Sequence, residues 1–272
     1  MLTYYFPTAA TKIVDRPLKE IRGNLTEKAV EILSQYRKNF SGPSPPGQLI
    51  LPEGLKEFAL FMLALLKTRG LRGGSVSSDM RTHSMRLLKA MPMADLSTYL
   101  YPLIIPIHNL ASTHGFPDEA AGGALSIPST LRASYSRIEE GGVYLVDNSQ
   151  TCILWLHAHV SPNLLEDLFG PGITNLQQLD PYMSEIPAVE THLNAQVRNL
   201  VQWLSEKRGG RTLKLQLARQ GLDGAEYEFA GMLVEDRGND ERAYVDWLVH
   251  VHKFVQLEVD PHSHGKSMKK HG

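Results

Sequence analysis

Histidine, cysteine and clustered carboxylates are where chemistry would start, and this chain has 11 histidines but a single cysteine. His157 and His159 share a face if the strand before them continues, and two imidazoles on one face could begin a metal site. A metal needs at least a third ligand, and none is predictable nearby, so the pair alone does not define a site. His250 and His252 fall in a helical segment, where a two-residue step separates side chains onto different faces. They read as a solvated or interface pair. His262, His264 and His271 sit in a polar C-terminal tail expected to be flexible. Cys152 lies within Thr151-Cys152-Ile153-Leu154-Trp155 and reads as a small buried hydrophobe, not as a nucleophile. Without a second cysteine there is no intrachain disulfide and no Cys-x-x-Cys zinc pair, which fits a reducing cytosol.

Other catalytic signatures are missing from the sequence. There is no Gly-x-Ser-x-Gly elbow, no His-Glu-x-x-His and no Gly-x-Gly-x-x-Gly after a strand. Gly265-Lys266-Ser267 resembles the end of a phosphate-binding loop, but the glycine such a loop needs at position 260 is Asp260. Glu235-Asp236-Arg237 and Asp240-Glu241-Arg242 could be paired carboxylates, yet their alternating signs suggest a solvated loop leading into the first turn of a helix. Tyr244 and Trp247 read as core. The basic stretch Lys67-Thr68-Arg69-Gly70-Leu71-Arg72-Gly73-Gly74 reads as a solvated surface, since anionic-lipid contact normally needs about four or more clustered charges. The expectation is therefore no catalytic residue, no cofactor site and no metal site.

Composition narrows the class further. With 28 Lys plus Arg against 29 Asp plus Glu, the net charge of −1 speaks against a nucleic-acid partner. The 42% hydrophobic content over 272 residues suits one large domain or two small ones with real cores. Met1 to Phe6 lacks the pattern of a signal peptide, and the most apolar run, Phe58 to Leu66, is too short to span a bilayer.

The elements that would carry these residues change character along the chain. A helix capped by Asn24 with Glu27 should end in the loop Ser41-Gly42-Pro43-Ser44-Pro45-Pro46-Gly47. A second should begin near Pro52, run apolar on all sides and stop at Gly70. A third, capped by Ser77 or Ser78, should bury Met80, Ser84, Leu87, Leu88 and Met91, and a fourth should cover about Ala94 to Leu100. Leu103 to Ile107 looks extended, with Pro106 confining it to an edge or crossing segment. The Gly-, Ala- and Ser-rich stretch 111–126 reads as an inter-domain linker. Val143 to Asp147 and Thr151 to Leu156 then form a hairpin signature. After it come a short helix with Ser161 as cap, Pro162 first and Gly170 as stop, and a longer one over about Glu190 to Ser205. Past Gly209-Gly210, Leu213 to Leu217 alternates as a half-buried strand, and Glu226 to Val234 is its expected partner strand. A last helix places Tyr244, Leu248, Val251 and Val255 on one stripe.

Several of these segments resemble one family. Gln48-Leu49-Ile50-Leu51-Pro52-Glu53, Ala64-Leu65-Leu66-Lys67 and Leu100-Tyr101-Pro102 resemble the helical domain of the COPII inner-coat cargo adaptors. Gly142 to Asp147 with Ile153-Leu154-Trp155 resembles the gelsolin-like module that follows it. Leu233 to Arg237 and Tyr244 to Lys253 resemble the family's C-terminal end, and the order and spacing agree from about residue 24 to 258. The resemblance implies an α+β fold: an N-terminal α-helical domain, then a gelsolin-like α/β module with a central sheet flanked by helices. The expected divisions are 1–110 helical, with 1–20 unmatched; 111–126 linker; 127–237 gelsolin-like; 238–259 a helix packing towards the helical domain; and 260–272 a disordered tail.

It also implies a non-enzymatic scaffold on cytosolic faces of endoplasmic reticulum exit sites and COPII vesicles. Its partners would be a sister inner-coat subunit, outer-coat proteins and cargo, with membrane contact through coat assembly. The family's zinc ribbon has no counterpart here, so no cofactor is expected, and no cargo-binding residue carries over. The rival from the same module is a gelsolin-like actin-binding protein. There a Gly-Asp pair before the first hairpin strand would supply calcium ligands, and this sequence has Gly141-Gly142.

Overall fold

The structure, a computed structural model, describes residues 11, 15–40, 48, 50–208, 213–238 and 241–260. The proline-rich loop 41–47, Gly209-Gly210, Asp240 and the tail from residue 261 lie outside the described residues. Two units emerge, one from the residues up to Met93 together with those from Val234 onward, the other from Ala94–Leu233.

The first unit is helical. Helix α1 spans Leu18–Asn39, with Ile21, Leu25, Ala29 and Leu33 buried, a four-residue recurrence that makes one apolar stripe. Asn24 is not its cap. The stripe already begins at Ile21, so the helix starts about two turns earlier, after Pro17. Pro52 does not open a second helix either. It precedes a single 3₁₀ turn, Glu53–Leu55, and helix α2 begins at Phe58 and runs to Lys67. Eight of its ten residues are buried, as an all-round apolar helix must be. It stops at Thr68, whose hydroxyl donates to Leu65 O at 2.7 Å. Gly70 lies beyond the stop and serves a close approach instead, since a Cβ there would meet Met85 Cε at 2.9 Å. Helix α3, Ser78–Ala90, is capped by the Ser77 hydroxyl and buries Ser84, Met85 and Leu88, whereas Met80 faces solvent.

The second unit opens with helix α4, Met93–Leu100, most of which lies past the division. Its sheet has the order β1-β4-β5-β6, built from Leu103–Pro106, Val143–Asp147, Cys152–Leu156 and Leu215–Arg219. Pro106, lacking an N–H for the ladder, sits on the edge strand. β4 pairs antiparallel with β1 and β5, while β6 joins β5 in parallel. Every residue of β4 and β5 is buried, because both faces of the sheet are covered.

On one face Val143, Leu145, Cys152 and Leu154 pack with Leu165 and Leu168 of α5 (Pro162–Phe169) and Val197 and Leu200 of α6 (His192–Lys207). On the other face Trp155 stacks on Phe229 at 4.8 Å. Phe229 belongs to α7, Ala225–Met232, where the sequence led us to expect a partner strand. Alternation was misleading there: the segment follows the tight turn at Gly221–Gly224 and lies across β5 and β6 instead of extending the sheet. With both faces covered, β6 is almost wholly buried, not half-buried.

Residues 111–126 are not a linker. They hold a small antiparallel hairpin, β2 (Pro117–Asp118) with β3 (Ala124–Leu125), and α6 grips the loop before it. Gln196 Nε2 donates to Ala111 O and His114 O, at 2.7 and 2.8 Å, and Asn199 Nδ2 donates to Gly115 O at 2.8 Å. The small residues there allow close approach to the helix, and the division between units falls at Met93–Ala94 instead.

Candidate functional site

The residues that could have done chemistry are dispersed. His157 and His159 lie just past the end of β5, with rings 5.3 Å apart. The His159 amide donates to His157 Nδ1, and His159 Nδ1 faces Glu140 at 2.8 Å. Burial and the neighbouring His159 hold the His157 pKa below the usual imidazole range. Among the described residues no three His, Cys, Asp or Glu side chains are grouped to hold a metal ion. His250 packs against Phe254 and Trp247; burial, then Arg242 and Lys253, lowers its pKa. His252, lowered by burial and by Arg37, answers to a different neighbour, as the two-residue step requires. Burial raises the Cys152 thiol to about 12, which leaves essentially no thiolate at neutral pH. The tail histidines and Gly265-Lys266-Ser267 lie outside the described residues.

What the helical unit does bring together is the chain's return to it after Leu233. The stretch read as a solvated basic patch begins with a clamp. Lys67 Nζ donates to Val234 O at 2.6 Å and also to Asp236 O. Arg22 of α1 donates through Nη1 to Leu66 O at 2.9 Å and Leu71 O at 2.7 Å, and through Nη2 to Glu241 at 2.7 Å. The second Glu241 oxygen accepts from Gly73 N at 3.2 Å. Glu241, read from sequence as part of a solvated acidic run, is thus a largely buried tie between three segments.

Helix α8, Tyr244–Val259, then packs along α1. Its buried face is Trp247, Val251 and Val255, and Trp247 Nε1 donates to Ala59 O at 3.0 Å. Leu248, placed on that face by the sequence pattern, is 37% exposed. Val251 and Val255 lie on the face that the pattern places inward, and Trp247, which reaches a carbonyl on α2, takes the place expected of Leu248.

Burial lowers Lys67 to about 8, against the opposing pull of Glu241, Asp236 and Glu235. Between about 8 and the unfolded value of 10.5, the unfolded chain holds a proton that the folded chain has released, so stability rises with pH across that window. Denaturant unfolding followed from pH 7.5 to 10 should show the helical unit gaining stability. Lys67→Met should remove that part of the gain. Equal pH slopes for the two proteins would refute the assignment.

In the second unit, an open groove of about 560 Å³ lies beside α7. Trp155 and Phe229 line it with Tyr135, Leu222 and Tyr227, of which Tyr227 is 86% exposed. No sequence pattern signals this groove, because its walls come from three separate segments. At its rim Asp223 is locked to Arg219, which donates from Nε and Nη2 at 2.8 and 2.7 Å. Those bonds hold the Asp223 carboxyl below its usual range.

The helical unit is interrupted in sequence by a module built on a four-stranded mixed sheet. A family model described as the Sec23/Sec24 helical domain matches residues 1–98, including the first twenty that the sequence reading left unmatched, and the gelsolin repeat model matches residues 126–201. The chain is 32% identical over 254 residues to "Protein transport protein sec24" of Aspergillus niger, covering 90% of this chain and 27% of that protein. It is 30% identical over 258 residues to human "Protein transport protein Sec24C", covering 94% of this chain and 22% of that protein. The crystal structure of the human COPII-coat protein Sec24c superposes with a TM-score of 0.80 at 29% identity, over 94% of this chain and 31% of that chain. The chain is thus similar to Sec24 proteins over at least 90% of its own length. It spans about a quarter of the length of the curated relatives it matches.

Proposed function

We propose that the chain acts as a non-enzymatic part of a COPII coat scaffold and cargo adaptor, serving endoplasmic reticulum to Golgi transport from the cytosolic face of exit sites. The observation that carries this reading is the combination of the two domains in one fold: a Sec23/Sec24-type helical unit that receives the chain again after the module, through Lys67, Arg22, Glu241 and Trp247. Its partners are a sister inner-coat subunit, outer-coat proteins and cargo, and its membrane contact comes through assembly.

The actin-binding alternative is disfavoured at one position. The calcium ligand of gelsolin-like modules would stand at Gly142, where a Cβ would lie 2.5 Å from the Tyr144 hydroxyl. Tyr144 is fully buried, and its hydroxyl accepts from Glu139 N at 2.6 Å, so a carboxylate there would displace a core side chain. Affinity capture from cytosol, with calcium and with a chelator, tests the reading. Recovery of coat subunits that is indifferent to calcium supports it, and calcium-dependent recovery of actin overturns it.

A further inference from the structure

We infer that the groove beside α7 is a docking site for an extended peptide segment that carries a basic residue next to an apolar one. The site stands at the carboxyl ends of the two parallel strands: Trp155 is the penultimate residue of β5, and Gln220 follows β6. Crevices outside the carboxyl ends of parallel strands are where open α/β sheets receive ligands. Here the crevice is walled by large side chains left in solvent, with Tyr227 86%, Tyr135 49% and Leu222 47% exposed. Aromatic and apolar groups held open on a fixed frame cost little entropy to engage and can bury much area, which is why tyrosine is favoured at binding surfaces.

Two features select the occupant. Trp155 is 1% exposed and lines the groove, yet its indole N–H has no hydrogen-bond partner among the described residues. An unsatisfied buried donor is costly, and the missing group is an acceptor. Carbonyls in a helix are already bonded within it, whereas those of an extended segment are free. The charge of the walls sets the second requirement. Glu226 and Asp223 line the groove and, among the described residues, no lysine or arginine does. Asp223 is paired with Arg219, while the Glu226 carboxylate accepts from the Gly221 amide at 2.8 Å and has no cationic partner among the described residues. A lysine or arginine of the partner completes it, with its apolar neighbour laid on Tyr227 and Leu222.

The probe is a random octapeptide library displayed on phage and selected on the whole chain, with the selected peptides then made synthetically. Expected are sequences pairing Lys or Arg with an apolar residue, bound at least about tenfold more weakly by Tyr227→Ala and more weakly by Glu226→Gln. The Trp155 indole N–H resonance should move downfield on saturation. Tyr227 is so exposed that its loss leaves the fold intact, so a weakened variant reports the contact. The inference is overturned if no sequence is selected, if the selected peptides lack a basic residue, or if Tyr227→Ala binds them unchanged. Sedimentation that shows the chain self-associating, with Tyr227→Ala restoring the monomer, would give the groove to a second copy and overturn it equally.

Discussion

Replacing Trp247 by alanine should destabilise the helical unit by about 3–5 kcal/mol, the range for deleting a buried tryptophan. The residue is 4% exposed, and its ring anchors α8 between α1 and α2. Two losses combine in the variant: the apolar area that held α8 down, and the indole donor to Ala59 O. Trp247→Phe separates them. It retains most of the area and forfeits the hydrogen bond, so it should cost only about 1–2 kcal/mol. Hydrogen exchange provides the readout, because amides of α1, α2 and α8 should lose protection together while those of β4 and β5 keep theirs. A loss below about 1 kcal/mol for the alanine variant would mean that α8 is not held through this side chain.

The second large effect belongs to the other unit. Gly115 has φ +77°, and a Cβ there would stand 2.7 Å from the Gln196 carbonyl oxygen and 2.9 Å from its Cα, both backbone atoms of α6. Gly115→Ala therefore combines left-handed strain of about 1–2 kcal/mol with an overlap that only movement of the loop can relieve, for a total of about 3 kcal/mol or more. Gly122→Ala is the control. It has φ +69° with open space around the would-be Cβ, so it should carry the conformational cost alone. Thermal melts of the two variants side by side check this. Equal destabilisation would show that the loop is not gripped by α6 as the hydrogen bonds of Gln196 and Asn199 require.

The sequence was most legible where one stretch carried all the chemistry of an element. Helix α5 is such a case: Ser161 accepts from Leu164 N, Pro162 occupies the first turn and Gly170 ends it, each for a local reason. The hairpin β4–β5 was equally plain, since its apolar runs flank an Asn148 whose side chain accepts from the Gln150 and Thr151 amides. Where a distant residue decides, the sequence was silent or misleading. Lys67 looked solvated because its acceptors lie 167 and 169 residues away. On α8 the pattern placed Val251 and Val255 correctly, but the choice between Leu248 and Trp247 could not be read, because both are apolar and the Ala59 carbonyl selects Trp247. Segment 225–232 alternates well enough for a strand and becomes a helix only because β5 and β6 offer it Trp155 to cover. The stretch 111–126 has a linker's composition, but small residues also permit the close contact that α6 makes with it. The groove was unreadable for the same reason, being a property of three segments and of none alone.

The coat reading is tested most directly by flotation of the purified chain with liposomes, purified inner- and outer-coat components and the activated small GTPase of the coat. The chain should float with the membrane only when the coat assembles, and equally well with calcium or with chelator. A chain that stays in the soluble fraction beside an assembled coat, or that cosediments instead with filamentous actin in calcium, would contradict it.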